Sequence, residues 1–156
     1  MMFGKKKEQP IPKALLKESI SPASLDPSAF MYDARNVTEH LLTSVYLQSV
    51  PSLPMAKMEE SLFNKIRDQI LWDVKYCRRT LSGFGVERFD YSGYDNVQSY
   101  AVRSLQYDVV FSAQGSYQDI YGTIQFSEKR MATVTFLNDA RMGWILCSYV
   151  DRGKVE

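Results

Sequence analysis

Reactive side chains are scarce in this 156-residue chain, which holds one histidine, His40, and two cysteines, Cys77 and Cys147. Metal centres are built from clustered histidine, cysteine or carboxylate ligands, so this inventory argues against zinc. Asp90 and Asp95 flank Gly93, but they lack the regular oxygen-ligand spacing of a calcium loop. No metal and no cofactor is expected. Concentrated charge of one sign is missing as well, since the net charge is only +1. Lys5, Lys6, Lys7, Lys13 and Lys17 against Glu8 and Glu18 put three net positive charges into residues 1–20, which leaves the remainder at −2. A nucleic-acid surface needs dense positive charge to displace phosphate counterions. A slightly acidic body does not supply it, and no nucleic-acid partner is expected.

Long apolar runs are also absent. Trp144-Ile145-Leu146-Cys147 is far short of the ~20 residues that span a bilayer. Lys5-Lys6-Lys7 leads into Glu8-Gln9-Pro10 rather than into the apolar stretch of a secretory signal. Met2, not glycine, follows the initiator, which excludes myristoylation there. A cytoplasmic protein without a membrane span is expected, with both cysteines reduced and acting as small hydrophobes.

What is present suits a single packed domain. Aromatic residues make up 13% of the chain, with 10 Tyr and 8 Phe, a composition that leans toward sheet. Residues 1–23 read as a flexible basic tail in which Pro12 can open a short helix through Ala14, Leu15 and Leu16. Residues 24–156 read as one α+β domain. Asp26-Pro27 is a favoured helix start, and Phe30, Ala34, Val37, Leu41 and Val45 then recur at helical spacing up to about Gln48. Pro54 opens a second helix whose stripe runs Met58, Leu62, Ile66, Ile70, Val74, Cys77 and Leu81, with Gly83 as its stop. Leu71, Trp72 and Tyr76 add a second apolar flank, which predicts a helix sandwiched on two sides.

After Gly85 the period becomes two. A short strand is predicted at Val86–Tyr91 and a long one at Val97–Ala113, where apolar parity switches near Arg103-Ser104 as a bulge would make it do. Gln114-Gly115-Ser116 reads as a turn into Tyr117–Phe126, with Ile120, Ile124 and Phe126 facing the core. Ser127–Arg130 reads as a turn into Met131–Leu137, and Asn138–Gly143 as a turn into Trp144–Val150. Helices followed by an antiparallel meander make an α+β fold: two N-terminal helices packed on a curved sheet of four to five strands.

Two helices, a long bent strand and a last strand carrying Trp144-Ile145-Leu146 resemble the cone-shaped α+β roll named for nuclear transport factor 2. The likeness spans Asp26 to Val150. In element order it is similar to the C-terminal domain of the mitochondrial inner-membrane translocase tether and its bacterial relatives, though this chain lacks their membrane segment. The resemblance implies a pocket between helices and sheet for ligands or catalysis, or a sheet face used for dimers. It also implies a role as a component of a secretion or conjugation assembly. It carries no catalytic residue onto any position here.

Each candidate for chemistry has a plainer reading beside it. His40 sits between Glu39 and Leu41 on a helix without a nucleophile in sight, so it reads as a surface histidine. Gly83-Phe84-Gly85 has two glycines of a dinucleotide fingerprint, but Arg88 stands where the third belongs, and the motif leaves a helix rather than entering one. Asp108 and Asp119 lie on strands, where burial could raise a carboxylate into a base. Yet Asp108 has the opposite parity to Leu105, Tyr107, Val109 and Phe111 and should face water. No catalytic residue is assigned, and the chain leans away from being an enzyme. Two surfaces remain. Trp72, Tyr107, Phe111 and Trp144 are candidates to line a pocket for a small hydrophobic ligand. Tyr117, Tyr121, Thr123, Thr133 and Thr135 are candidates for a sheet-face interface with itself or another protein. A non-catalytic, self-associating interaction domain is the leading expectation, and a small-molecule binder or hydrolase/isomerase-type enzyme is the alternative.

Overall fold

Helix α1 spans Pro27–Leu47 in the computed structural model, which describes residues 27–95, 104–139 and 143–155. The expected tail helix, the Asp26 cap and the parity switch at Arg103 lie outside the described residues. The predicted α1 stripe is buried or half-buried, and Thr38, Leu42 and Tyr46 on the neighbouring track are buried with it. Thr38 satisfies its hydroxyl inside the helix by donating to the Ala34 carbonyl at 2.8 Å. The helix stops in a Schellman turn: Ser49 N–H reaches the Ser44 carbonyl and Gln48 N–H the Val45 carbonyl. Gln48 occupies the left-handed position of that turn, at φ 56°, where glycine is usual.

A 3-10 turn at Met55–Lys57 leads into α2, Glu60–Tyr76. Met58 and Glu59 fasten its start to the last strand, with Glu59 N–H donating to the Leu146 carbonyl at 2.8 Å. The helix ends five residues before the Leu81 of the predicted stripe. Cys77 is already extended, and the Gln48 amide clamps the junction: its Nε2 donates to the Cys77 carbonyl at 2.7 Å, and its Oε1 accepts from Arg79 N–H at 2.9 Å. Long-range pairing therefore ends the helix, not Gly83.

Strands β1 (Arg78–Asp95), β2 (Ser104–Asp119), β3 (Gly122–Asp139) and β4 (Gly143–Lys154) form one antiparallel meander in the order β1-β2-β3-β4. The fold is α+β, with two helices against a curved four-stranded sheet. Its bends arise at the edges. In β1, Ser82, Glu87 and Ser92 are extra residues relative to β2, and in β4, Cys147 and Arg152 are extra relative to β3. An extra residue every fifth position bends and coils each outer strand while the β2–β3 register runs unbroken.

The concave face carries Leu105, Tyr107, Val109 and Phe111 of β2 with Ala132, Val134 and Phe136 of β3, and these form the core under α1. Asp108 faces the convex side, as its parity requires. Gly115 and Ser127–Arg130 are not turns; they lie within β2 and β3, whose hairpin closes at Ile120-Tyr121 instead. Gly122 follows at φ 127°, and Asp119 Oδ1 accepts Tyr121 N–H at 2.7 Å to fix the bend. The hairpin overshoots the helices, so Ile120 and Ile124 are exposed rather than core-facing.

Candidate functional site

Where the overshooting β2–β3 hairpin passes the ends of α1 and α2, the cone is hollow. A cavity of ≈ 390 Å³ is lined by Val45 and Tyr46 of α1, Cys77 and Arg79 at the start of β1, Tyr117 of β2, Phe126, Glu128 and Arg130 of β3, and Tyr149 and Asp151 of β4. Three of these, Val45, Tyr149 and Asp151, also line an adjoining cleft of ≈ 590 Å³ beneath α2. Lys65, Asp68, Trp72 and Asp73 stand along that cleft with the inner side of α2.

Charge enters this interior because β3 places Glu128 and Arg130 at inward positions between Phe126 and Ala132. Arg130 holds Asp151 in a two-pronged ion pair, with Nη2 at 3.0 Å and Nε at 3.1 Å, and reaches Glu128 at 3.5 Å. The Tyr46 hydroxyl donates to the same Glu128 carboxylate. Arg79 lies over the Tyr46 ring at 5.3 Å and donates to the Val45 carbonyl at 3.1 Å. Burial raises the Tyr46 phenol well above its ordinary value, and the bond to Glu128 adds to that. Burial, then the Asp151 charge, pushes Tyr149 up to about 12. Burial alone would lower the Arg130 guanidinium, but its bonds to Asp151 and Glu128 outweigh this, so its charge is held firmly.

This arrangement is suited to holding groups in place. Both carboxylates are engaged by Arg130, and both buried phenols stay neutral donors at ordinary pH. His40 is exposed on α1 and lines neither hollow. Among the described residues, no three His, Cys, Asp or Glu side chains are grouped to hold a metal ion.

Three of the four expected pocket residues, Tyr107, Phe111 and Trp144, lie together in the packed core and line neither hollow. Phe111 is buried in the core, and Tyr107 stacks on Phe89 at 5.0 Å. Trp144 packs against Phe30 at 5.5 Å. Ring-on-ring packing fills the helix–sheet space at that end, and the opening lies at the other. Trp72 alone of the four borders a hollow, with its side 62% exposed. The expected interface residues likewise divide between surfaces. Tyr117 points into the cavity, Tyr121 sits in the hairpin turn, and Thr123, Thr133 and Thr135 share the convex face. Thr133 is buried there, donating to Asp108 at 2.8 Å and accepting from Arg152 Nε at 3.0 Å.

A further surface was half visible in the sequence. The second flank of α2 is not sandwiched: Leu71 is 56%, Trp72 62% and Tyr76 58% exposed. Only Leu62, Ile66 and Ile70 of that helix are buried. The rings of Trp72 and Tyr76 pack together at 4.7 Å, one helical turn apart, at the rim of the cleft.

No family model and no curated protein matches the chain. Solved structures do. The intermembrane space region of the chloroplast protein ARC6 superposes with a TM-score of 0.53 at 9% identity, over 78% of this chain and 95% of that one. A ketosteroid isomerase-like protein from Erwinia carotovora atroseptica SCRI1043 superposes with a TM-score of 0.52 at 6% identity, over 80% of this chain and 97% of that one. A periplasmic fragment of TraM reaches a TM-score of 0.44 at 10% identity, over 78% and 96%. At these identities the likeness is one of fold, and the isomerase-like neighbour is consistent with a cone-shaped roll of the nuclear transport factor 2 kind.

Proposed function

We propose that this chain is a non-catalytic protein-interaction domain that self-associates, and that its contact surface is the free flank of α2 at the rim of the cleft. One observation carries the reading. Leu71, Trp72 and Tyr76 form a contiguous apolar patch on a helix whose other side already packs on the sheet, and such patches on folded domains mark contact sites. The state of the cavity supports it, because both of its carboxylates are already engaged in ion pairs with Arg130. Membership of a secretion or conjugation assembly, and kinship with the translocase tether's C-terminal domain, fit such a domain and rest on element order alone. Light scattering on the full chain during size exclusion tests the proposal. A mass that rises toward twice the chain mass with concentration supports it, and a strict monomer at high concentration removes self-association.

A second reading is favoured by the hollow itself. A cavity of ≈ 390 Å³ walled by Tyr46, Tyr117, Phe126 and Tyr149, with fixed charge at its base, has the size and lining of a small-molecule site. A ligand bound there at a hundred times its Kd would add about 2.7 kcal/mol to stability, so a thermal-shift screen of small aromatic compounds tests it. Tyr46→Ala should abolish any shift that arises in this cavity.

A further inference from the structure

The exposed face of α2 is self-complementary, and we infer that two copies of the chain pair through it as antiparallel helices about a two-fold axis between Leu71 and Trp72. This rests on the self-association proposed above and names its geometry.

Asp68, Leu71, Trp72 and Lys75 recur at three- and four-residue spacing, so they share one side of the helix. Leu62, Ile66 and Ile70, the buried residues, occupy the opposite side. The order along the exposed side is an acid, two large apolar groups and a base. Turned end for end about a point between Leu71 and Trp72, that order reads onto itself. Asp68 then meets the second copy's Lys75, Lys75 meets its Asp68, and Leu71 meets its Trp72. Such a contact is isologous and closes after two copies.

The local electrostatics suit the pairing. Among the described residues Asp68 pairs only with the adjacent Arg67, at 3.1 Å on the helix surface, a pair of little strength. The Lys75 ammonium lies 5.9 Å from the Tyr76 ring and has no carboxylate at ion-pair distance among the described residues. Both are therefore available to a partner. A heterologous protein would have no need for an acid and a base placed symmetrically about an apolar centre, whereas a second copy would. The pairing also lays the second copy's Trp72 and Tyr76 along the rim of the ≈ 590 Å³ cleft, so association and access to the cleft are linked.

Sedimentation equilibrium of the full-length chain tests this, with far-UV circular dichroism confirming that each variant folds. All altered side chains are at the surface, so folding should survive. Trp72→Glu, counted twice in a two-fold contact, should weaken the dimer by ~100-fold or more. Asp68→Lys and Lys75→Asp each place like charges opposite one another and should each weaken it by about tenfold. The double variant Asp68→Lys/Lys75→Asp should return to within about threefold of the parent. A parent chain that stays monomeric, whether the flank is bare or covered by its own residues 1–26, overturns both this inference and the self-association beneath it. A dimer indifferent to Trp72→Glu overturns only the helix contact. A double variant as weak as the two singles overturns the antiparallel register.

Discussion

Gly115 is where the backbone geometry of the fold is most exposed to a single substitution. It sits within β2 opposite Leu81, next to the first bulge of β1. A Cβ added there would lie 2.0 Å from the Thr80 carbonyl oxygen and 3.0 Å from Phe126 Cε2. Contacts below 3.0 Å are essentially never made by real Cβ atoms, so β1 and β2 would have to part by at least the difference. The obstructing oxygen is main chain and cannot rotate away. Separation at this point unseats the pairing of Arg78 to Leu81 with Gly115 to Gln118, and with it the Gln48 clamp on Arg79. Losing two or three net hydrogen bonds at ~1 kcal/mol each, with overpacking against Phe126, gives a cost of ~3 kcal/mol for Gly115→Ala. Gly85→Ala is the control: nothing lies within 4 Å of its added Cβ, and the change should stay within ~0.5 kcal/mol of the parent. Urea unfolding followed by circular dichroism reads both. With a slope of ~1–3 kcal/mol per molar urea, Gly115→Ala should move the midpoint down by ~1–3 M. Equal midpoints for the two variants would refute the close approach of β1 to β2.

Three further outcomes follow. Gln48 pays a left-handed backbone conformation for a side-chain clamp, so Gln48→Gly, which loses the clamp but relieves the φ, should be less destabilising than Gln48→Ala by ~1 kcal/mol, measured by the same urea titration. Tyr149 is raised to about 12, so its neutral form is favoured by folding; that stability is complete below the unfolded value near 10 and is lost as pH climbs from there to 12. Tyr149→Phe should accordingly flatten the alkaline fall in stability between pH 10 and 12, and an unchanged slope would contradict the burial of that phenol. The Cys147 thiol is pushed up to about 11 by burial and by the nearby Glu59 charge, so at pH 8 it should react with a disulfide reagent far more slowly in the folded chain than in the unfolded one. Rapid modification of Cys147 in the folded chain would count against this.

The parts of the fold that are legible in the sequence are those governed by neighbours along the chain. The α1 stripe and the parity of Leu105, Tyr107, Val109 and Phe111 need only a repeating period, and both place the core correctly. The same parity turns Asp108 outward. Where two distant segments decide the structure, local reading falters. The inward residues of β1 are Leu81, Phe84, Val86, Phe89 and Tyr91, at spacings of three, two, three and two, because each bulge inserts one residue. That rhythm is neither helical nor strand-like, and its start at Leu81 continues the spacing of the α2 stripe. Gly115 looks like a turn residue until the Thr80 carbonyl is seen against it. Ser127 to Arg130 looks like a polar turn, because nothing local reveals that Glu128 and Arg130 face Tyr46 and Asp151 across the cone. The cavity was hidden for that reason. Its sign in the sequence is faint: two charges at inward positions of an otherwise apolar strand. The free flank of α2 was visible as Leu71, Trp72 and Tyr76, but a helix apolar on two sides does not say whether the second side meets its own chain or another.

In the proposed dimer, association runs through α2 and not through the sheet. Backbone amide hydrogen exchange of the full chain, compared at dilute and concentrated conditions, tests it directly because it reports where contact forms. Protection that grows with concentration across the end of α2, centred on Leu71 to Tyr76, is the result expected. Protection that grows instead around Thr123, Thr133 and Thr135 on the convex face, with α2 unchanged, would contradict it.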